Sequence, residues 1–443
     1  MSLLRKAILA GGGSVVCTGL GVATNMILAR SLLPEGMGRY QLPLTASTLA
    51  ITILSLGVGQ SNIYFLNKHK IEPRQIVKNS VFFGFSTAII LMILLPLSLT
   101  TFENYFGVLH IWIKILFSFG IVSLFCSELF KPILIAGLQV RESVQPQIVN
   151  AAVFLLIVFI CFIFKLLSVN VTLIALTVGN ITSLAMVIYF LRDRIDFSIS
   201  FAWPVFIQVL RYGLQLLASN LVYVLNASVG LMLLRYLMPE SFAIVGLYGR
   251  AVALCGLITL IPYAAGPILY SRWSELSGDA RKSQVELAMR LHLALGFLIV
   301  LFMVFFADWC MLFLYGKEFL AAVPSLRILV IGIALRCAFS VCNNLLASDG
   351  KAYITAYIMG TSVVAIVGLT WLLVPHYGMN GAALADMIAG ILVFGMGLFL
   401  LNRSYGFSLK KMLLFRADDF RYILNAVRNR GITSRDGSLV DDK

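Results

Sequence analysis

Long apolar runs separated by short polar segments make up most of the chain. Twelve of these runs are bounded by charged or turn-forming residues. They cover residues 7–29, 41–66, 80–100, 111–136, 146–164, 171–191, 209–234, 242–267, 287–313, 323–347, 352–374 and 380–402. A helix needs roughly 20 largely apolar residues to cross a bilayer. The pattern therefore predicts an all-α integral membrane protein with about 12 transmembrane helices.

Two short motifs indicate that the chain is a tandem repeat of six spans. The segment Arg30 to Glu35 reads R-x-L-x-P-E after the first run, and Arg235 to Glu240 repeats it after the seventh. A G-x-Y follows each copy, at Gly38 to Tyr40 and at Gly246 to Tyr248. Six spans return a chain to its starting side, so the two repeats are parallel and related by an axis along the membrane normal. The motifs predict two six-helix bundles.

The motif residues admit two interpretations. Proline cannot continue a helix without losing a backbone hydrogen bond, and an arginine at the membrane edge often extends to the headgroups. In the first interpretation, Pro34 ends the first span and Arg30 anchors it at the membrane edge. In the other interpretation, Arg30 lies where substrate is admitted and binds it.

The repeat and the charged segments together predict the domain organisation. Residues 1–191 form an N-terminal six-helix lobe, residues 192–208 a cytoplasmic linker, residues 209–402 a C-terminal six-helix lobe, and residues 403–443 a basic cytoplasmic tail.

Basic residues are distributed unevenly between alternate loops. If the N-terminus is cytoplasmic, the inner segments and the tail hold 22 Lys and Arg residues, whereas the outer loops hold five. Cytoplasmic loops carry an excess of positive charge in membrane proteins. We therefore expect both termini on the cytoplasmic side of the membrane.

Composition narrows the functional class. Hydrophobic residues make up 60% of the chain and charged residues 12%, which leaves no room for a separate soluble domain. The net charge of +14 follows topology and indicates no nucleic-acid partner. The four histidines are scattered, and neither a metal-ligand cluster nor a phosphate-binding glycine loop after a strand is present. We expect a transport protein that is not an enzyme and has no metal or cofactor.

Four segments carry a resemblance to a known family: residues 27–42, 314–329, 346–352 and 375–386. They resemble the polysaccharide transporter family of the multidrug/oligosaccharidyl-lipid/polysaccharide flippase superfamily. The resemblance implies an alternating-access flippase that moves undecaprenyl-diphosphate-linked oligosaccharide from the cytoplasmic to the outer leaflet for surface polysaccharide synthesis. It implies the lipid-linked oligosaccharide and membrane lipids as partners, with the polysaccharide polymerase machinery as a candidate.

Two other cargoes remain open within the superfamily, namely the drugs of a cation-coupled multidrug exporter and the lipid II of a lipid II flippase. An exporter is expected to need an intramembrane carboxylate, and residues 7–29 contain no Asp or Glu. Lipid II flippases usually have fourteen spans and an arginine in the first helix, which residues 7–29 also lack. The oligosaccharide interpretation is therefore favoured.

Charged side chains at span depth are the candidate substrate-binding residues, because such groups usually face a cavity or a partner. Arg250 and Arg336 lie nearest mid-depth. A guanidinium group stays charged and binds phosphate oxygens in pairs, so both would suit a diphosphate in a central cavity. The alternative is structural pairing with Asp308, Asp386 or backbone carbonyls.

Three further intramembrane charges, Lys114, Lys131 and Glu128, are also substrate-binding candidates. Glu128 and Lys131 are three residues apart, so they could instead neutralise each other on one helix face. Lys114 lies close enough to the end of its span to extend to the headgroups.

Overall fold

The computed structural model describes residues 3–67, 73–137, 139–192, 201–259, 266, 269–270 and 272–414, and these residues are helical nearly throughout, with no β-strand among them. The α-helices are α1 (Leu3–Leu54), α2 (Val58–Asn67), α3 (Pro73–Thr101), α4 (Glu103–Phe106), α5 (Ile111–Ala136), α6 (Val140–Ile163), α7 (Val169–Leu191), α8 (Trp203–Leu237), α9 (Phe242–Ile258), α10 (Gly278–Tyr315), α11 (Val323–Ser348), α12 (Ala352–Tyr377), α13 (Met379–Tyr405) and α14 (Leu409–Leu413). A 3₁₀ helix (Lys317–Ala322) precedes α11.

Ten helices in the described part of the chain are long and apolar enough to cross a membrane, and the shorter α9 is also apolar. Large apolar side chains cover their outer faces, such as Phe85, Trp112 and Phe305, each about 70% exposed. Polar side chains such as Asn62 and Asn180 are instead buried between helices. This distribution suits a protein whose solvent is lipid, and it confirms the predicted all-helical membrane class.

Helix α1 is a hairpin of two helical arms. Leu33 interrupts it with a φ of 59° and a ψ of 176°. The side chains of Asn25 and Gln41 both accept hydrogen bonds from the single guanidinium of Arg250. A straight helix would separate these two residues by about 24 Å, so the chain must reverse at Leu33.

The hairpin revises one expectation from the sequence. Residues 30–40, expected to form an outer loop, are helical except at Leu33. The break lies immediately before Pro34, where the proline ring disfavours the α conformation of the preceding residue. In the second copy of the motif, α8 ends at Leu237, again just before a proline, Pro239. Each proline therefore marks a helix end, as one interpretation of the motif expected.

Several helices extend beyond their apolar runs at the end predicted to be inside. Helix α8 begins at Trp203, within the expected linker, and α10 begins at Gly278, nine residues before its apolar run. The extra turns of α10 are mostly polar, so hydropathy misses them, whereas residues 203–208 of α8 are mostly apolar but belong to the expected linker. Part of the eighth apolar run (260–265) and most of the predicted tail (415–443) lie outside the described residues.

The two halves of the chain pack separately and also against each other. In the N-terminal half, α5 packs on α7 and α1 on α6. In the C-terminal half, α11 and α12 both pack on α13. The most extensive contact between the halves joins α1 to α9, and α8 adds contacts with α1 and α2.

Two glycines of the repeated G-x-Y motif allow the close contact between α1 and α9. A Cβ atom placed on Gly38 would lie 2.0 Å from the carbonyl oxygen of Phe242, and one on Gly246 would lie 1.9 Å from the carbonyl oxygen of Pro34. No side chain larger than hydrogen fits at either position. Small residues permit close backbone approach between membrane helices, and here the two copies of the motif meet across the two halves.

We predict that Gly38→Ala destabilises the protein, because its methyl group must push the backbones of α1 and α9 apart. Overpacking typically costs about 1–3 kcal/mol. The control is Gly19→Ala on the same helix, where a Cβ meets nothing within 4 Å. The measurement is the thermal unfolding midpoint of the detergent-solubilised protein. Equal midpoints for the two variants would contradict the close crossing.

Candidate functional site

A cavity of about 470 Å³ lies in the C-terminal half of the chain. Helices α8, α9, α11 and α12 form its walls, and Asp386 of α13 also lines it. Thr259 and Ala352, at helix ends predicted to be inside, are among the lining residues. The cavity therefore extends from span depth toward the predicted inner end.

The cavity wall is rich in polar groups. Its polar side chains are Ser219, Asn220, Tyr223, Asn226, Tyr248, Thr259, Arg336, Ser340, Asn343, Thr355 and Asp386. Hydroxyl and amide groups both donate and accept hydrogen bonds, which matches the hydrogen-bonding capacity of sugar hydroxyls. Among the described residues that line it, Arg336 and Asp386 are the only Arg, Lys, Asp or Glu side chains.

A second glycine contact positions this charged pair. A Cβ on Gly390 would lie 2.5 Å from the carbonyl oxygen of Gly332, so α11 and α13 are in backbone contact there. Arg336 follows Gly332 by one helical turn, and Asp386 precedes Gly390 by one turn. The guanidinium Nη1 of Arg336 donates to Oδ1 of Asp386 at 2.9 Å, and Nη2 donates to the Asp386 carbonyl oxygen at 3.2 Å.

The sequence left open whether Arg336 faces a cavity or pairs with an aspartate, and in the structure it does both. It lines a cavity, and it is paired with one of the two aspartates proposed as its structural partner. The other aspartate, Asp308, pairs with Arg327 at 2.5 Å on an exposed part of the surface. Whether Arg336 binds substrate stays a prediction.

Arg250 lies elsewhere, in the interface between the two halves. It is 3% exposed, and its Nη1 and Nη2 donate to Asn25 and to Gln41 of α1, the latter at 2.7 Å. Its guanidinium carbon is 5.8 Å from the ring centre of Tyr315. These partners are neutral amides and an aromatic ring, whereas the sequence suggested an aspartate or backbone carbonyls. Arg250 is not among the residues that line the cavity.

The remaining intramembrane candidates, Lys114, Lys131 and Glu128, each form an ion pair. Lys114 is buried and donates to Glu103 and, at 3.2 Å, to Thr100. It therefore does not extend to the headgroups as one interpretation expected. Lys131 donates to Glu128 on the same helix, as the alternative interpretation proposed. Their roles toward substrate stay predictions.

Two arginines of the repeated R-x-L-x-P-E motif connect the halves at the end predicted to be outside. Arg30 Nη2 donates to the carbonyl oxygen of Phe313 at 2.6 Å. Arg235 is 2% exposed and donates to the carbonyl oxygens of Asn104, at 2.7 Å, and Tyr105, at 3.0 Å.

Arg30 reaches the C-terminal end of α10 in the other half, and Arg235 reaches the short helix α4, which directly follows α3 in the other half. We call Arg30 and Arg235, with their carbonyl acceptors, the arginine clasp. Arg235 also lies 3.7 Å from the centre of the Phe242 ring, which stabilises its charge through a cation–π contact. The motif therefore serves as a connection between the halves at that end.

A polar pattern on α8, which a search for charged residues misses, marks the cavity in the sequence. Asn220, Tyr223 and Asn226 of α8 line it and are spaced by three residues, as on one helix face. Polar residues with that spacing within an apolar run mark a polar face. Among the described residues, no three His, Cys, Asp or Glu side chains converge to hold a metal ion.

Comparisons with known proteins agree with this architecture. Residues 3–271, more than half of the chain, match the family described as polysaccharide biosynthesis protein. The chain is also similar to a putative O-antigen transporter from Shigella flexneri. The two are 20% identical over 410 residues, which cover 88% of this chain and 96% of the relative.

Three solved structures of membrane transporters have a similar fold. The lipid II flippase MurJ, in an inward closed conformation, has a TM-score of 0.75 and 16% identity, covering 98% of this chain and 94% of its own. An inward-facing MATE multidrug resistance transporter of the MOP superfamily has a TM-score of 0.73 and 14% identity, covering 91% of this chain and 99% of its own. An outward-facing MATE structure scores 0.60 at 17% identity, covering 91% of this chain and 94% of its own.

At these identities the solved structures establish a shared fold, whereas the match over residues 3–271 establishes the family. The chain belongs to the polysaccharide biosynthesis protein family and has the fold of the MOP superfamily, which confirms the resemblance in its sequence.

Proposed function

We propose that this protein is a flippase that moves undecaprenyl-diphosphate-linked oligosaccharide from the cytoplasmic to the outer leaflet of a bacterial inner membrane. Its family and the similarity to a putative O-antigen transporter support a cargo from polysaccharide synthesis. In this proposal the protein transports its cargo without changing it chemically.

The cavity in the C-terminal half is the observation that carries the proposal. Its volume of about 470 Å³ lies within the range of about 300–1,000 Å³ typical of small-ligand sites. The diphosphate and the first sugar would occupy it, with Arg336 binding phosphate oxygens and the amides of Asn220 and Asn226 binding hydroxyl groups. A longer glycan would extend out of the cavity.

Arg250 provides a second contact for the cargo in this proposal. It is buried between the halves on neutral amides of Asn25 and Gln41, so no carboxylate competes for its charge. When the halves separate at the outer end, these amides move away and Arg250 becomes available to the diphosphate. Arg336 would then hold the headgroup first and Arg250 later on the path.

Alternating access follows from the arrangement of the contacts between the halves. The arginine clasp and the Gly38–Gly246 contact close the predicted outer end, whereas the cavity extends toward the predicted inner end. The higher TM-score with an inward-facing than with an outward-facing MATE structure supports the same state. If the two arms of α1 are counted separately and α9 is added, the described helices give twelve spans. This count supports two six-helix bundles with both termini on the same side.

The fold is shared with multidrug transporters and with a lipid II flippase, so transport has to be measured with all three kinds of cargo. The Arg336–Asp386 pair leaves the described lining of the cavity without net charge. An anionic headgroup would pair with Arg336 and a cationic drug with Asp386, so the transport measurements distinguish the two kinds of cargo.

We predict that Arg336→Ala lowers transport of a fluorescent polyprenyl-diphosphate oligosaccharide in proteoliposomes about tenfold to a hundredfold, because it removes charge-assisted hydrogen bonds to phosphate. Arg336→Lys should recover part of this activity, since it keeps the charge but loses the paired geometry. Arg250→Ala should also lower transport.

The control is Arg327→Ala, which lies on the same helix as Arg336 and also pairs with an aspartate, but outside the cavity. It should transport at the wild-type rate. Normal transport by Arg336→Ala would refute the proposed site. Transport of a drug or of lipid II, but not of the oligosaccharide lipid, by the wild type would refute the proposed cargo.

We also predict that the double variant Arg30→Ala, Arg235→Ala opens the outer end. The readout is labelling of Ser340→Cys, in the cavity, by a membrane-impermeant maleimide added from outside. Labelling should rise by about tenfold in the double variant, because hydrogen bonds to charged groups contribute about 1.5–3 kcal/mol each. The control is Arg327→Ala. Arg327 pairs with Asp308 of the same half, so this variant removes an ion pair within one half. Unchanged labelling would mean that the clasp does not close the outer end.

A further inference from the structure

The cavity contains a charged pair that is largely shielded from water. The side chains of Arg336 and Asp386 are 14% and 11% exposed. No other Arg, Lys, Asp or Glu side chain is present in the part of the lining that the structure describes, so the charges of these described residues cancel in the empty cavity. Burial of one of these charges alone would be costly, whereas a pair with hydrogen bonds is tolerated.

The pair does not use its full hydrogen-bonding capacity. Among the described residues, Asp386 Oδ2 and Arg336 Nε have no hydrogen-bond partner, although both atoms are buried. A guanidinium group has five N–H donors and a carboxylate has about four acceptor positions. Arg336 therefore has donors available for a further anion, and the bond to Asp386 Oδ1 is a single, replaceable one.

The backbones that carry the pair are fixed by the contact between Gly332 and Gly390. Exchange of partners can therefore occur by side-chain rotation, without separation of α11 from α13. Tyr248 of α9 is a further polar residue that lines the cavity.

A transporter must also return to its starting state without cargo. A bare arginine in the low-dielectric interior would oppose that return, since the cost of an unpaired ion at membrane depth is several kcal/mol or more. A diphosphate neutralises the guanidinium while the cargo is bound. In the empty protein, another anion has to take its place.

We propose that Asp386 is an internal counter-ion for Arg336, displaced by the anionic headgroup of the cargo and paired again with Arg336 once the cargo has left. This inference rests on the proposed function. It assigns Asp386 to the return of the empty carrier, whereas Arg336 binds the cargo. No bond is made or broken apart from the exchange of hydrogen bonds.

The test uses the full-length protein in proteoliposomes and compares Asp386→Asn with wild type. The amide keeps the size of the side chain and one acceptor but removes its charge. Affinity for inorganic pyrophosphate should rise by about tenfold, because a charged competitor for Arg336 is gone. Net transport of the oligosaccharide lipid should fall by about tenfold at saturating cargo. Exchange of cargo for cargo should stay near the wild-type rate, since the carrier then never returns empty.

The control is Asp308→Asn, which removes the charge of an aspartate that also pairs with an arginine but lies outside the cavity. It should change none of the three measurements. Asp386→Ser serves as a second neutral variant in case the amide variant does not fold. Asp386→Glu, which keeps the charge, should retain net transport.

The outcomes separate this inference from the proposed function. If pyrophosphate affinity is unchanged in the neutral variants, or if net transport and exchange fall together, Asp386 is only a structural partner and the inference is overturned. If the wild type binds neither pyrophosphate nor the oligosaccharide lipid, the proposed function itself fails. Binding of pyrophosphate without any transport of the lipid would indicate a site for free phosphate compounds, which also overturns the inference.

Discussion

The backbone contact between Gly38 and Gly246 determines how the two halves of the protein meet. Each Cα lies so close to the opposing helix that even a methyl group would overlap a carbonyl oxygen. The contact brings α9 against the second arm of α1, and it thereby places Arg250 beside Asn25 and Gln41. It also brings the predicted outer ends of the halves close enough for the arginine clasp. A change at this crossing would alter the contacts of all these residues together.

The cost of charge in a membrane explains why every intramembrane candidate has a partner. Lys114, Lys131 and Arg336 pair with carboxylates, whereas Arg250 is held by neutral amides. The type of partner matters for function. In an ion pair, an anionic ligand can replace the carboxylate as the partner of the basic side chain. An arginine held only by neutral groups keeps its full charge and attracts an anion once those groups move apart. The protein therefore combines one arginine paired with a carboxylate and one held by neutral amides.

The R-x-L-x-P-E motif occurs once in each half, and its two copies make similar contacts. Its prolines end helices at corresponding positions, and its arginines each reach a carbonyl group in the other half. Neither Arg30 nor Arg235 lines the cavity. In an alternating-access protein such contacts would stabilise one state, and their strength would influence how readily the predicted outer end opens. The repeat would thus contribute to the balance between states as well as to the fold.

The sequence alone determined the membrane class, most of the helices and the family, and it predicted the repeat, because apolar length, proline positions and short motifs are properties of the linear chain. Depth in the membrane could also be predicted, since each helical residue adds about 1.5 Å. Depth places Arg250 and Arg336 at similar levels but does not say which way each side chain faces. That direction depends on how the helices are rotated and packed, which the glycine contacts at Gly38 and Gly332 settle by backbone proximity. Only the tertiary structure therefore showed that Arg336 faces a cavity with Asp386, while Arg250 lies between the halves.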